Sequence, residues 1–427
     1  METQTQVLTR VQMIALCKEK KIKGYSGKTK NELKEMLNVT NVPSLTNVPS
    51  LTNVPSLTNV SSLTNVSSLT NVPSLTNVSG LTNMISIKRL NYIGSKFQLV
   101  DWISSLMVDK IGTLKDKRIG DLFSGTGIVS YHMRQNGANL VSNDTELYSS
   151  IITYAFARSS YTLKCKEFIE ELCKDLNDDK HITFCGYVTT NYSPLTGERK
   201  FFTVDNARRI DYVRNKLELN KESLTKDEYN FILASIIISA DSISNVPAVY
   251  GCYLKNFKDK ANKKMIIFPI HQLNEESISV IYNESVLSET ILNERMDAVY
   301  LDPPYNERQY SKNYFPLNII AKTPEQLLNE PTLKGKTGIP TDCFISSFCK
   351  KGEVIESFNT LFKNLKTEWL FLSYNSEALV SKEKMVEIMS KYGEVFVEET
   401  DYKRFKSFKY NKDKPIKEYL FCLKLKL

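Results

Sequence analysis

Residues 85–427 predict a doubly wound α/β sheet, and three observations carry that expectation. Short apolar runs alternate with stretches of helical character, as across residues 118–143. Two glycines follow the first of these runs, in the stretch DLFSGTG. A later run, DAVYL, stops at Asp302 and is followed at once by Pro303 and Pro304. Strand–helix alternation builds an open, mostly parallel sheet with helices on both faces.

The first strand is expected at residues 118–123 (RIGDLF), with a helix at 128–135. Between them, Gly125 and Gly127 let the backbone turn tightly and approach a ligand before the helix begins. Residues 139–143 (NLVSN) form the second strand, which ends in Asn143-Asp144. Residues 297–301 form a third and 368–374 (EWLFLSY) a fourth. A helix over 382–391 separates the fourth from late strands at 394–398 (EVFVE) and 418–426 (EYLFCLKLK). Between about 155 and 290 the alternation breaks into helical, basic and aromatic stretches, which indicates an insertion. The longest apolar stretch, residues 231–240 (FILASIIISA), is too short to span a bilayer and reads as a buried helix.

Ahead of the sheet, two smaller segments are expected. In residues 1–38, Val7, Val11, Ile14 and Ala15 share one helical stripe. A basic, glycine-containing loop follows, then Leu33, Met36 and Leu37 facing inward behind a cap at Thr29 or Asn31. This helix–loop–helix resembles a SAP module, which contacts DNA, through Gly24, Gly27-Lys28, Lys30 and Glu32-Leu33. The other reading is a basic helical hairpin that packs on the body or on a partner. Residues 39–84 contain seven hexads, four NVPSLT, two NVSSLT and a last NVSGLT. A period of six suits a β-helix, but this tract has little apolar surface to offset its ordering entropy, and it is expected to be a flexible linker.

With 427 residues, 41% of them hydrophobic and 24% charged, the chain has the composition of a soluble globular protein with a sizeable core. Its net charge of +8 is compatible with nucleic acid. The start, METQTQVLTR, has no apolar h-region, so a cytoplasmic location without membrane association is expected. The eight cysteines form no C-x-x-C pair and the three histidines are far apart. Reduced thiols, rather than a zinc site or a disulfide framework, are the expectation.

Four features converge on the carboxyl edge of the expected sheet. A central strand rejects proline, so Pro303 and Pro304 lie beyond the strand's end. They stiffen a turn that presents the Asp302 carboxylate, main-chain carbonyls and the Tyr305 ring. In open α/β sheets such a position is where ligands bind. Asp144, at the end of the second strand, stands where nucleoside-binding sheets place an acid on the ribose hydroxyls. Upstream, NYIGSK sets Tyr92 and Lys96 just before a helix. A lysine there can meet a ligand carboxylate, or simply start a solvated helix.

The order of these elements, from Tyr92 through DLFSGTG and Asp144 to Tyr305, resembles the Dam-like adenine-specific DNA methyltransferases. The resemblance covers roughly residues 85–427. It includes NYSP at Asn191, NARRID at Asn206 and YNERQY at Tyr305, which are similar to a restriction–modification branch of that class. It implies a class I, Rossmann-like sheet, S-adenosylmethionine as cofactor, and site-specific methylation of the adenine N6 amine in double-stranded DNA. It also implies a cognate restriction endonuclease as partner and no metal. Carried over by position, Tyr92, Lys96, Asp121, Gly125, Gly127 and Asp144 would hold the cofactor. Asp302, Pro303, Pro304 and Tyr305 would serve the target adenine, with Asp302 also close to the cofactor. For the acid beside the cofactor's adenine, only Asn283-Glu284-Ser285 offers a match, at Glu284.

The insertion would then read sequence, through basic and aromatic residues at 197–216 and 254–264, arginines on guanine edges and lysines on phosphates. Arg308, Tyr310, Lys312 and Tyr314 would close over a flipped base. RNA or the cytosine N4 amine is the alternative substrate, because the amine chemistry is shared. A non-catalytic DNA-binding protein that kept the fold is the other alternative, and intact Asp302, Asp144 and Gly125 argue against it.

Overall fold

The computed structural model describes residues 87–275, 277–331, 333–402 and 416–426; the expected N-terminal module and hexad linker lie outside the described residues. The first half of the sheet comes from β1 (Arg118–Asp121), β2 (Asn139–Asn143), β3 (Val280–Tyr282) and β4 (Ala298–Leu301). A small hairpin, β5 (Leu333–Lys334) and β6 (Ile339–Pro340), precedes the remaining strands. These are β7 (Trp369–Asn375), β8 (Gly393–Tyr402) and β9 (Ile416–Leu425). The strand order is β3-β2-β1-β4-β7-β9-β8. The first five run parallel, and β9 lies antiparallel to both β7 and β8. The chain moves outward from β1 to β3 and then returns to β4 on the other side of β1. That reversal opens a crevice at the carboxyl ends of β1 and β4.

Both faces of the sheet are buried. Ala298 and Tyr300 of β4, with Leu420 and Cys422 of β9, point into one apolar cluster. Val299 and Leu301, with Phe421 and Leu423, point into the other. The two-residue period of a strand thus divides each run between two cores. Strands buried on both faces read as continuous apolar runs, which is why β4 and β7 were legible in the sequence.

The helices begin with α1 (Val100–Ile111), α2 (Ile128–Gln135) and α3 (Leu147–Ala157). The inserted stretch contributes α4 (Leu163–Asn177), α5 (Tyr187–Tyr192), α6 (Val204–Leu219) and α7 (Lys226–Ser242). Helix α7 starts at a capping box between Thr225 and Glu228 and buries every residue from Phe231 to Asp241. Helix α3 is buried from Tyr148 to Ala157. Apolar on all sides, these two helices shield each other from water, and the insertion thickens one core of the sheet domain. Its expected range also contains β3, a three-residue edge strand that pairs Val280 with Val141. A strand so short has no periodic signal to find. After β3 come α8 (Glu289–Asn293), α9 (Tyr310–Ala321), α10 (Pro324–Leu328), α11 (Val354–Asn364) and α12 (Lys382–Met389).

Several residues expected to meet DNA are packing residues. Arg209 is 2% exposed, donating to Asp205 at 2.8 Å and to the Leu176 carbonyl at 3.2 Å. Arg214 donates to the carbonyls of Ile320 and Lys322, at 2.7 and 2.9 Å. It thereby joins α6 to the end of α9. Phe201 and Phe202 are buried. The Asn206 side chain donates to the Ala261 and Lys263 carbonyls and accepts from the Met265 N–H, pinning the lysine-rich loop. Tyr314 is core as well, its hydroxyl accepting from the Ile93 N–H at 3.0 Å. None of these groups is available to a base edge.

Candidate active site

The crevice holds a cavity of about 560 Å³, lined by the segments that follow β1, β2, β3 and β4, by residues 92–96 and by the start of β9. The Asn143 side chain joins three of these segments, donating to the carbonyls of Leu122 and Glu284 and accepting from the Glu284 N–H. Phe123, Val286 and Leu287 give this corner an apolar wall.

Gly125 turns with φ of +50°, a conformation costly for residues with a Cβ. The turn aims its N–H at Asp144 Oδ2, 2.8 Å away, while the Glu146 N–H meets Oδ1 at 2.9 Å. These bonds orient a carboxylate that retains lone pairs for further donors. Burial pushes the Asp144 carboxyl up, and the two N–H groups draw it back. Glu146, unforeseen in the sequence, also lines the cavity and accepts from Asn318 at 2.7 Å. Burial and the nearby Asp144 push its carboxyl up to about 7.

On the opposite wall, Asp302 follows directly on β4. Lys96 Nζ lies 2.9 Å from its Oδ1 and also donates to the Gly94 carbonyl at 3.1 Å. The Tyr305 hydroxyl donates to the same Oδ1, at 2.9 Å. Burial pushes the Asp302 carboxyl up, opposed by the Lys96 ammonium and the Tyr305 hydroxyl. Lys96, 4% exposed, is thus neither at a solvated helix start nor positioned for a ligand alone. Pro303 and Pro304 complete this wall. Tyr305 packs edge-on against Tyr374 at 5.0 Å, with Lys96 over its ring at 4.8 Å. Tyr92 stacks on Tyr314 and Tyr310, at 4.5 and 5.5 Å between centroids.

Three expected site residues do not line the cavity. Gly127, with φ of +69°, packs against α3, where a Cβ would stand 3.0 Å from the Thr153 Cα. Glu284 accepts from Ser288 at 2.8 Å, and its neighbours Ser285 to Leu287 face the cavity instead. Asp121 is 1% exposed and accepts from Ser130 at 2.6 Å. Burial and the carboxylates of Asp302 and Asp144 push it up to about 7. Among the described residues, no helix is long and apolar enough to cross a membrane, and no His/Cys/Asp/Glu cluster is arranged to hold a metal ion.

The cavity accordingly pairs an apolar corner with a wall of desolvated carboxylates, an environment complementary to a nucleoside that carries positive charge. This sheet and this crevice define a class I S-adenosylmethionine-dependent methyltransferase. The family model for D12 class N6 adenine-specific DNA methyltransferases matches residues 92–388, and the chain belongs to that family. It is 40% identical to the type II methyltransferase M.CviAII of Paramecium bursaria Chlorella virus 1, over 78% of this chain and 98% of that protein. It is 34% identical to M.NlaIII of Neisseria lactamica, over 75% and 93%. It is also 34% identical to M.FokI of Planomicrobium okeanokoites, over 78% of this chain and 52% of that one. The protein therefore methylates adenine N6 in DNA, with S-adenosylmethionine as the methyl donor.

Proposed function

We propose that this methylation is carried out at the crevice by Asp302, Pro303, Pro304 and Tyr305, and that it marks specific sites in double-stranded DNA against a cognate restriction endonuclease. The observation that carries the assignment is the Asp302 carboxylate, fixed at the end of β4 by Lys96 and Tyr305 inside the cavity. The lone pair of an exocyclic adenine amine is delocalised into the ring, which makes the amine a poor nucleophile. The Asp302 carboxylate and the Pro303 carbonyl accept its two N–H bonds and favour a geometry in which that lone pair points out of the ring plane. S-adenosylmethionine supplies a methyl group on a positively charged sulfur. Catalysis by the chain is positioning and polarisation, with no covalent enzyme intermediate.

The carboxylates along the wall suit this donor's charge, and Asp144 is placed to accept from its ribose hydroxyls. Tyr92 lines the same space, with Gly125 opening the turn beside Asp144. Asp121 lies behind the wall, outside the cavity lining, where Ser130 holds its carboxyl. The restriction–modification role is supported by the type II methyltransferases M.CviAII and M.NlaIII, which align with the chain over nearly their full lengths. Single-molecule modification sequencing of DNA from cells expressing the chain is the test. N6-methyladenine should occupy one short motif, and Asp302→Ala should remove it while the protein remains folded. Undiminished methylation by Asp302→Ala overturns the residue assignment; marks scattered without a motif overturn site specificity.

A further inference from the structure

Glu418 belongs to none of the motifs that carry the resemblance, yet it faces the same cavity as Asp302. It sits near the start of β9, opposite Asn375 of β7. The strand's period places it on the face of Leu420 and Cys422, where an apolar side chain would pack without a desolvation cost. A carboxyl group only 5% exposed at that position calls for a compensating partner. Besides the Asn375 side chain and the Lys96 charge, that partner is the Tyr305 hydroxyl, 3.3 Å from Glu418 Oε2 and 2.9 Å from Asp302 Oδ1.

Tyr305 is therefore suspended between two carboxyl groups. A phenol has one proton to donate and also accepts. The one phenolic proton points to both carboxyl groups, with Asp302 the nearer acceptor. Burial pushes the Glu418 carboxyl up, Lys96 draws it back, and Asp302 adds to the rise. At Asp302, Lys96 and Tyr305 both meet Oδ1, and two donors on one oxygen fix the plane of the carboxylate. Tyr305 restrains that plane only while its own hydroxyl is held. Lys96 anchors the near side of the arrangement and Glu418 the far side.

We propose that Glu418 is a positioning residue for methyl transfer, holding the Tyr305 hydroxyl so that Asp302 meets the target amine in a single orientation. The proposal rests on the reading of Asp302 as the group that accepts the amine. A misdirected acceptor lowers the rate of the chemical step without weakening ground-state binding.

The test is steady-state and single-turnover kinetics on the full chain, with cofactor affinity measured separately by calorimetry. Glu418→Leu should lower kcat roughly tenfold, leaving KM for DNA and Kd for S-adenosylmethionine within about twofold. Glu418→Gln, which can still donate to and accept from a phenol, should recover most of that loss. In a Tyr305→Phe background, Glu418→Leu should cost nothing more, since the hydroxyl it holds is gone. Full kcat in folded Glu418→Leu, equal losses in the Leu and Gln variants, or additive losses in the double variant each overturn the proposal. If Glu418→Leu does not fold, Glu418→Asp replaces it: the shorter carboxyl should slow wild type and leave Tyr305→Phe unaffected. Undiminished activity in Asp302→Ala would instead overturn the reading beneath the proposal.

Discussion

Asp302 and Arg209 are both buried charges held by an opposite charge, and they belong to two regions with different purposes. The Lys96–Asp302 pair opens onto the cavity, with both partners largely removed from water. Arg209 spends its donors inside the insertion, on Asp205 and on the Leu176 carbonyl at the end of α4, and it lines no part of that cavity. At the sheet edge the charges face a space that a ligand can fill. In the insertion they close gaps between helices. Burial alone therefore does not mark a functional charge; what the charge faces does.

The largest effect that tests this contrast is on stability. Arg209→Ala takes the guanidinium from Asp205, which keeps its bond to His181, and from the Leu176 carbonyl. Removing one partner of a buried pair costs roughly 3–5 kcal/mol, and the half-exposed Asp205 places the expected loss near the lower bound, about 3 kcal/mol. Denaturant titration should register that loss, while KM for DNA should not change at a temperature where the variant is folded. A raised KM at undiminished stability would return Arg209 to the DNA interface and remove the distinction between the regions.

The same contrast explains what was legible in the sequence. At the sheet edge the signals are local: Pro303 and Pro304 cannot continue a strand, and Gly125 must turn where its neighbours cannot. Asp144 and Asp302 follow apolar runs that stop. Such features constrain the backbone at their own positions, so spacing along the chain was enough. In the insertion, GERKFFTVDNARRIDYVRNK looked like a basic aromatic surface, because nothing in it shows that Arg214 reaches carbonyls more than a hundred residues away. Glu418 escaped notice for a related reason. A charged residue near a strand's start reads as a solvated end until the fold places Tyr305 above it.

Asp121 offers a smaller effect that sharpens the comparison from the other side. Its carboxyl, ordinarily near 3.8, is pushed up to about 7 in the folded chain. Between those values the folded state holds a proton that the unfolded state has released. The contribution to stability is therefore present at low pH and is lost as pH rises toward and through 7. Asp121→Asn removes the titration and keeps an acceptor for Ser130. Thermal melts of the cofactor-free protein should show parent and variant nearly equal close to pH 4, with the variant roughly 2–5 °C higher at pH 8. Melts that differ equally at both pH values would mean that Asp121 acts through packing.

The smallest effect concerns what remains of the basic surface in the insertion. Lys255, Lys263 and Lys264 are exposed, on the loop that the Asn206 side chain pins through the Ala261 and Lys263 carbonyls. Unlike Arg209 and Arg214, they are placed to meet phosphates, which fix position on DNA and carry no sequence. Each such contact contributes about 0.9 to the slope of log affinity against log salt. Replacing all three with alanine should raise KM for DNA several-fold at about 0.1 M salt and flatten that slope by up to roughly 3. Neither kcat nor the motif methylated should change, because the sheet edge is untouched. A changed motif would show that this loop reads bases, and would make the insertion a recognition surface at its lysines even though Arg209 and Arg214 are buried.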